Sequence, residues 1–150
     1  MTNVRSTKIK TSLALKMDRP GGRTFREIAG RADANLEEHR DAVMASIGEH
    51  LETLEALCSA QDGDEGGRVY QLASTIIDLA GYFDTGPLYE AAYSLCDTAD
   101  RLIGAGAWSW PPISVHVRAM RLILAEGCRN SYANDQMLKG LRTVAGALSA

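Results

Sequence analysis

Apolar residues in this chain recur at intervals of three and four in several segments, which short glycine- or proline-containing turns separate. This spacing puts apolar side chains on one face of an α-helix. No alternating strand pattern of useful length occurs outside residues 8–15. The sequence therefore predicts an all-α protein: an antiparallel four-helix bundle with an additional N-terminal helix or arm and a C-terminal helix.

Local signals predict where the first two helices begin and end. Thr24 and Glu27 have the capping-box spacing that starts a helix, directly after a Pro-Gly-Gly triplet. The apolar stripe that follows ends near residue 60. A polar, glycine-rich loop over 61–67 precedes the next stripe, which predicts a second helix over about 68–83.

Proline and glycine also mark the later helices. Pro87 suits the first turn of a third helix, and Gly104 stops that helix. The proline pair at 111–112 separates the third helix from a fourth, whose apolar residues run from Ile113 to Cys128. Asn130 and Asn134 mark the start of the last helix.

Composition bounds the number of domains and the kind of partner. The chain has 150 residues, of which 45% are hydrophobic, and this is enough for one sizeable core. A formal net charge of −3 is too small to indicate nucleic acid or an anionic membrane as the main partner. The sequence shows neither a secretion signal nor a membrane span, so we expect a cytoplasmic protein.

The charge is unevenly distributed along the chain. Residues 1–23 hold six basic side chains and one acidic side chain, a balance of +5, which leaves −8 for residues 24–150. We therefore expect a basic flexible leader over residues 1–22 and a single helical domain over residues 23–150.

Cysteines and histidines do not form a recognisable metal or redox motif. The three cysteines lie in apolar helical patterns without a Cys-x-x-Cys pair, and we expect them to be reduced core residues: Cys58, Cys96 and Cys128. The histidines lack a second ligand at metal spacing: His39, His50 and His116. We expect His50 and His116 at solvated or edge positions, and we expect no cofactor, no metal site and no catalytic residue.

Residues 72–97 resemble the central part of histidine phosphotransfer domains, whose pattern is Leu-Ala-His-x-Leu-Lys-Gly-x-Ala-x-x-x-Gly followed by a turn and a helix. The match is free of gaps, and eight apolar residues fall where that family has its core: Leu72, Ala73, Ile76, Ala80, Phe83, Leu88, Ala92 and Leu95. The flanking helices extend the resemblance loosely over residues 36–128. It implies a bundle like that of the phosphotransfer family.

The departures from this family lie where its chemistry occurs. Ser74 stands at the position of the phosphoacceptor histidine, Ile77 replaces the lysine one turn later, and Asp78 replaces a small glycine. A serine without a nearby base is a poor nucleophile, and its phosphate ester would be too stable to pass on. Asp78 would also repel an incoming phosphoryl group. Phosphotransfer at this position is therefore not expected.

The whole chain also resembles the CheE-type proteins of bacterial chemotaxis. The most similar parts are the entry over residues 19–24 and the helical segment over residues 90–97. This resemblance implies a chemotaxis or motility setting.

Together these features predict a non-catalytic signalling adaptor that binds the receiver domain of a response regulator or its histidine kinase. The expected docking face is one side of the second helix, formed by Tyr70, Gln71, Ser74, Ile77, Asp78 and Gly81. Ile77 is expected to be its exposed apolar anchor. We expect a monomer or a weak homodimer, with neither nucleic acid nor membrane as a partner.

Other interpretations of the sequence remain open. The protein could be an active phosphotransferase that uses His50, His39 or His116, or a structural helical protein that associates with itself through the Ser74 face. Trp108 and Trp110 could anchor a partner, although we expect one or both to cap the open end of the bundle.

Overall fold

The computed structural model describes residues 25–61 and 66–148. Within these ranges it contains five helices and no strand: α1 (Phe25–Ala60), α2 (Gly66–Ala80), α3 (Pro87–Gly104), α4 (Trp110–Ala125) and α5 (Tyr132–Ala147). The predicted all-α class and the helical-bundle packing are confirmed. None of the helices in the described part of the chain is long and apolar enough to span a membrane.

The chain divides into two compact units, residues 1–40 and residues 41–150. In the first unit the described residues, 25–40, are helical, and the apolar side chains of Phe25 and Leu36 are exposed. The predicted basic leader over residues 1–22 lies outside the described residues, as does the alternating pattern over 8–15.

The second unit contains the hydrophobic core, to which all five helices contribute. From α1 this core receives Val43, Ile47, Leu51 and Leu54, which follow the helical spacing expected of one buried stripe. Helix α3 is central, because it packs against α2, α4 and α5. Across the outside of the unit, Arg121 of α4 forms an ion pair with Glu55 of α1, with 2.7 Å between Nε and Oε1.

Helix α2 ends at Ala80, three residues earlier than the sequence indicated. The hydroxyl of Thr85 donates a hydrogen bond of 2.9 Å to the Ala80 carbonyl, an acceptor that a continuing helix would use for itself. Residues 81–84 consequently form a turn, and Gly86 takes a positive φ of 38° before Pro87 opens α3 as predicted.

Two other helix starts differ from the sequence prediction. Helix α4 begins at Trp110, so the proline pair lies in its first turn rather than ahead of it. Helix α5 is capped by Ser131, whose hydroxyl accepts a hydrogen bond of 3.1 Å from the Asn134 backbone amide. Asn134 itself lies inside the helix and is buried.

Candidate functional site

The rotation of α2 determines which of its side chains can meet a partner. Its buried side consists of Gly66, Val69, Ala73, Ile76 and Ala80. The docking face predicted from the sequence lies on the other side, where Tyr70, Gln71, Asp78 and Gly81 are exposed and Ser74 and Ile77 are partly buried. Four of the six residues are therefore open to solvent.

Ile77 is not the protruding anchor that the sequence indicated. It is partly buried and packs against the core. Together with Asp78, Gly81, Tyr82 and Tyr89 it lines a surface depression of about 360 Å³. The depression is therefore bounded in part by two exposed tyrosines rather than by aliphatic surface alone.

The hydroxyl of Ser74 meets a thiol, with 3.7 Å between Ser74 Oγ and Cys96 Sγ. Charge and hydrogen bonding from the same Cys96 raise the pKa of the neighbouring Tyr70 hydroxyl, which stays protonated near neutral pH. A thiol does not serve Ser74 as a general base in the way that an imidazole or a carboxylate would. The Ser74 hydroxyl is thus paired with a group that does not activate it as a nucleophile.

Three further exposed tyrosines were missed in the sequence, and two of them, Tyr82 and Tyr89, line the depression at the predicted face. Tyr82, in the turn after α2, is 72% exposed, and Tyr89 and Tyr93, on α3, are 41% and 62% exposed. With Tyr70, which is 40% exposed, they form a set that we call the tyrosine rim. The spacing of four between Tyr89 and Tyr93, off the apolar stripe of α3, is the signal that could have revealed it.

His116 is fully buried, which contradicts the expected solvated or edge position. Its Nδ1 lies 2.7 Å from the Pro112 carbonyl oxygen, and its Nε2 lies 2.9 Å from Ser94 Oγ. Because these two hydrogen bonds satisfy both ring nitrogens, the core can hold the imidazole. Burial lowers the pKa of His116, while the backbone hydrogen bond and the charge of Asp97 oppose this shift, so the ring is neutral at pH 7.

Ser94 also lines a cavity of about 500 Å³ between α3 and α5. The other lining residues are Tyr89, Glu90, Tyr93, Asp97, Arg101, Arg142, Ala145 and Gly146. Two ion pairs lie along it, with 2.9 Å between Arg142 Nη2 and Glu90 Oε2 and 3.1 Å between Arg101 Nε and Asp97 Oδ2. The cavity therefore combines aromatic walls with charged groups of both signs.

The other two histidines lie on α1. His50 is partly buried, and its Nδ1 lies 2.6 Å from the Ser46 carbonyl oxygen one turn earlier. A carbonyl only accepts, so Nδ1 carries the proton and the lone pair of a neutral ring is on Nε2. His39 is exposed and belongs to the first unit.

The tryptophans and cysteines have packing roles. Trp108 and Trp110 meet edge to face, with 5.4 Å between ring centroids, and Trp110 is buried. A Cβ added at Gly66 would come within 3.0 Å of the Trp108 ring, so Trp108 closes against the start of α2. The cysteines are free thiols, buried or partly buried as expected: Cys58, Cys96 and Cys128.

Among the described residues, no group of three or more histidine, cysteine, aspartate or glutamate side chains is placed to hold a metal ion. Comparisons of the chain with protein-family models, with curated proteins and with solved structures find no match.

Proposed function

We propose that the protein is a signalling adaptor, non-catalytic in phosphoryl transfer, that binds a response-regulator receiver domain, or the histidine kinase that supplies it, through the docking face and its tyrosine rim. The observation that carries the proposal is that two exposed tyrosines, Tyr82 and Tyr89, line the depression together with Ile77, Asp78 and Gly81 of the docking face. The resemblance of residues 72–97 to phosphotransfer domains supports the choice of partner, and the CheE-like segments support a chemotaxis pathway in the cytoplasm.

Tyrosine suits a docking surface for a physical reason. Its ring provides a large contact area with few rotatable bonds, and its hydroxyl remains hydrogen-bonded whether the surface is free or covered. Aromatic residues are accordingly enriched in the centres of protein interfaces. Ile77, which lines the depression with Tyr82 and Tyr89, offers apolar contact to a side chain inserted by the partner.

The same surface is unsuited to phosphoryl transfer. The Ser74 hydroxyl faces Cys96 rather than a base, and the exposed Asp78 carboxylate is one helical turn away on the same side. A negative charge there opposes the approach of a phosphoryl group. The adaptor would therefore bind its partner without accepting the phosphoryl group. It would do so as a monomer or a weak homodimer.

The decisive experiment measures binding to the purified receiver domains and histidine kinases of the native cell, by calorimetry, for two matched variants. Tyr82→Ala removes an exposed tyrosine from the rim, and Tyr132→Ala removes an 80% exposed tyrosine from the start of α5. We expect Tyr82→Ala to weaken binding about tenfold or more, as for a side chain that contributes at least about 1.4 kcal/mol. Tyr132→Ala should change the affinity less than about twofold.

Two outcomes would contradict the proposal. If no receiver domain or kinase binds the unmodified protein, the assigned partner class is wrong. If the two tyrosine variants weaken binding equally, the partner does not dock on the tyrosine rim. Light scattering at several protein concentrations separates a third case, self-association, which would give a concentration-dependent mass.

A second candidate function is phosphotransfer through His50. Its partial exposure and the hydrogen bond from Nδ1 to Ser46 make Nε2 the nucleophilic nitrogen. Burial makes His116 a poorer acceptor, because a receiver could reach it only after the helices separate. Incubation with a labelled phospho-receiver distinguishes the two functions: acid-labile label that His50→Gln abolishes would establish a phosphotransferase and reject the adaptor.

A further inference from the structure

The hydrogen-bonded pair of Ser94 and His116 has the geometry of an activated nucleophile. Ser94 Oγ lies 2.9 Å from His116 Nε2, and the Pro112 carbonyl accepts from His116 Nδ1 at 2.7 Å. A nucleophile within hydrogen-bond reach of a base, which a third group holds in one tautomer, is the arrangement that nucleophilic enzymes share. Here a backbone carbonyl takes the orienting position that a carboxylate often occupies.

Thr98 leaves this arrangement undisturbed. Its hydroxyl also lies 3.4 Å from His116 Nε2, but it donates its only proton to the Ser94 carbonyl at 2.8 Å. The Nε2 lone pair is therefore directed to Ser94. Since the imidazole is neutral at pH 7, it can accept the proton of the serine hydroxyl.

We propose that Ser94 is a nucleophile for acyl transfer, that His116 is its general base, and that the α3–α5 cavity receives a small aryl ester. The cavity of about 500 Å³ is within the size range of small-molecule sites. Tyr89 and Tyr93 line it and suit an aromatic group by stacking. Arg101 and Arg142 line it as well, and the guanidinium N–H groups that are not used in their pairs with Asp97 and Glu90 can donate to the ester oxygens.

The reaction step is an addition followed by elimination at the ester carbonyl. Ser94 Oγ attacks the carbonyl carbon and forms a new C–O bond, while its proton passes to His116 Nε2. The bond from that carbon to the aryl oxygen then breaks, and the aryl oxide leaves either as the anion or after taking the proton from His116. If the anion leaves, the imidazolium first releases its proton to solvent. Water then attacks the acyl carbon while one of its protons passes to His116 Nε2, the bond from that carbon to Ser94 Oγ breaks, and the imidazolium returns the proton to Ser94 as the carboxylic acid leaves.

The experiment uses the full chain and p-nitrophenyl acetate as the probe. We expect a burst of one equivalent of p-nitrophenolate per chain, with the acetyl group found on Ser94 by peptide mass mapping. Acetylation of Ser94 should be at least tenfold faster than that of Ser59, an exposed serine of α1. The rate of Ser94 acetylation should decrease as the pH is lowered, because His116 then becomes protonated and can no longer accept the serine proton.

Variants and site mapping make the outcome decisive. Ser94→Ala should abolish the burst, and Ser59→Ala should leave it unchanged, with helicity checked by circular dichroism for both. Mapping on the unmodified protein decides the question even if Ser94→Ala folds poorly. Absence of acetyl-Ser94, or acetylation no faster than at Ser59, would overturn the proposal and leave the pair as a structural bond between α3 and α4. None of these readouts involves the docking face, so this inference and the adaptor function can fail separately.

Discussion

The rotation of α2 about its own axis is tested most directly by two neighbouring isoleucines. Ile76 is fully buried in the core, whereas Ile77 is partly buried beside the surface depression. Truncating Ile76 to Ala removes three carbon groups, worth about 2.4 kcal/mol at about 0.8 kcal/mol each. The cavity left behind raises the expected loss of unfolding free energy to about 3–4 kcal/mol.

The same truncation at Ile77 should cost about 1–1.5 kcal/mol, because only part of that side chain leaves water on folding. Both substitutions gain the same helix propensity, so this contribution cancels in the comparison. The free energies come from urea denaturation followed by helical circular dichroism. Equal losses for the two variants, or a larger loss for Ile77→Ala, would show that α2 is rotated differently and that the docking face is misassigned.

Two further predictions concern a turn and a buried titratable group. Gly86→Ala should lower the unfolding free energy by about 1–2 kcal/mol, because Gly86 has φ of 38° and an added Cβ would lie 2.9 Å from Asn130 Oδ1. Gly104→Ala is the matched control in the same urea assay, because a Cβ added at Gly104 meets no atom within 4 Å. The unfolding free energy should also decrease as the pH drops below about 6.5. The pKa of His116 is lower in the folded protein than in the unfolded chain, so the unfolded chain binds a proton first as the pH falls. Asp97, whose charge favours that proton, moderates the effect, and His116→Gln should flatten this part of the curve of stability against pH.

Helix content was predictable because it depends on short-range pattern. Spacings of three and four residues indicated the stripe of α1 from Val43 to Leu54, and Pro87 marked the start of α3 correctly. The end of α2 was less predictable, because it depends on the Thr85 hydroxyl reaching the Ala80 carbonyl. Threonine is compatible with a helix, a strand or a turn, so its identity alone did not indicate this bond.

The burial of particular side chains was harder to predict, because it depends on how helices pack. Helical spacing put Ile77 off the apolar stripe, but the side chain is partly buried and packs against the core. Ser94 and His116 are 22 residues apart, and no sequence motif joins them. The local pair of Pro112 and His116, one helical turn apart, was visible in the sequence but did not show that a serine would face the ring.

The two candidate sites are physically adjacent, because Tyr89 lines both the depression on the docking face and the cavity between α3 and α5. A partner that moves the Tyr89 ring to cover the depression must change the wall of the cavity, and a molecule in the cavity must restrict that ring. If the protein binds the partner or the small molecule with different affinity when the Tyr89 ring is moved, thermodynamic linkage applies. Each ligand then changes the affinity for the other by the same factor. A Tyr89 variant would therefore perturb both sites. Of the two sites, Tyr82 borders the depression and Ser94 borders the cavity, so substitution of either residue affects one site directly.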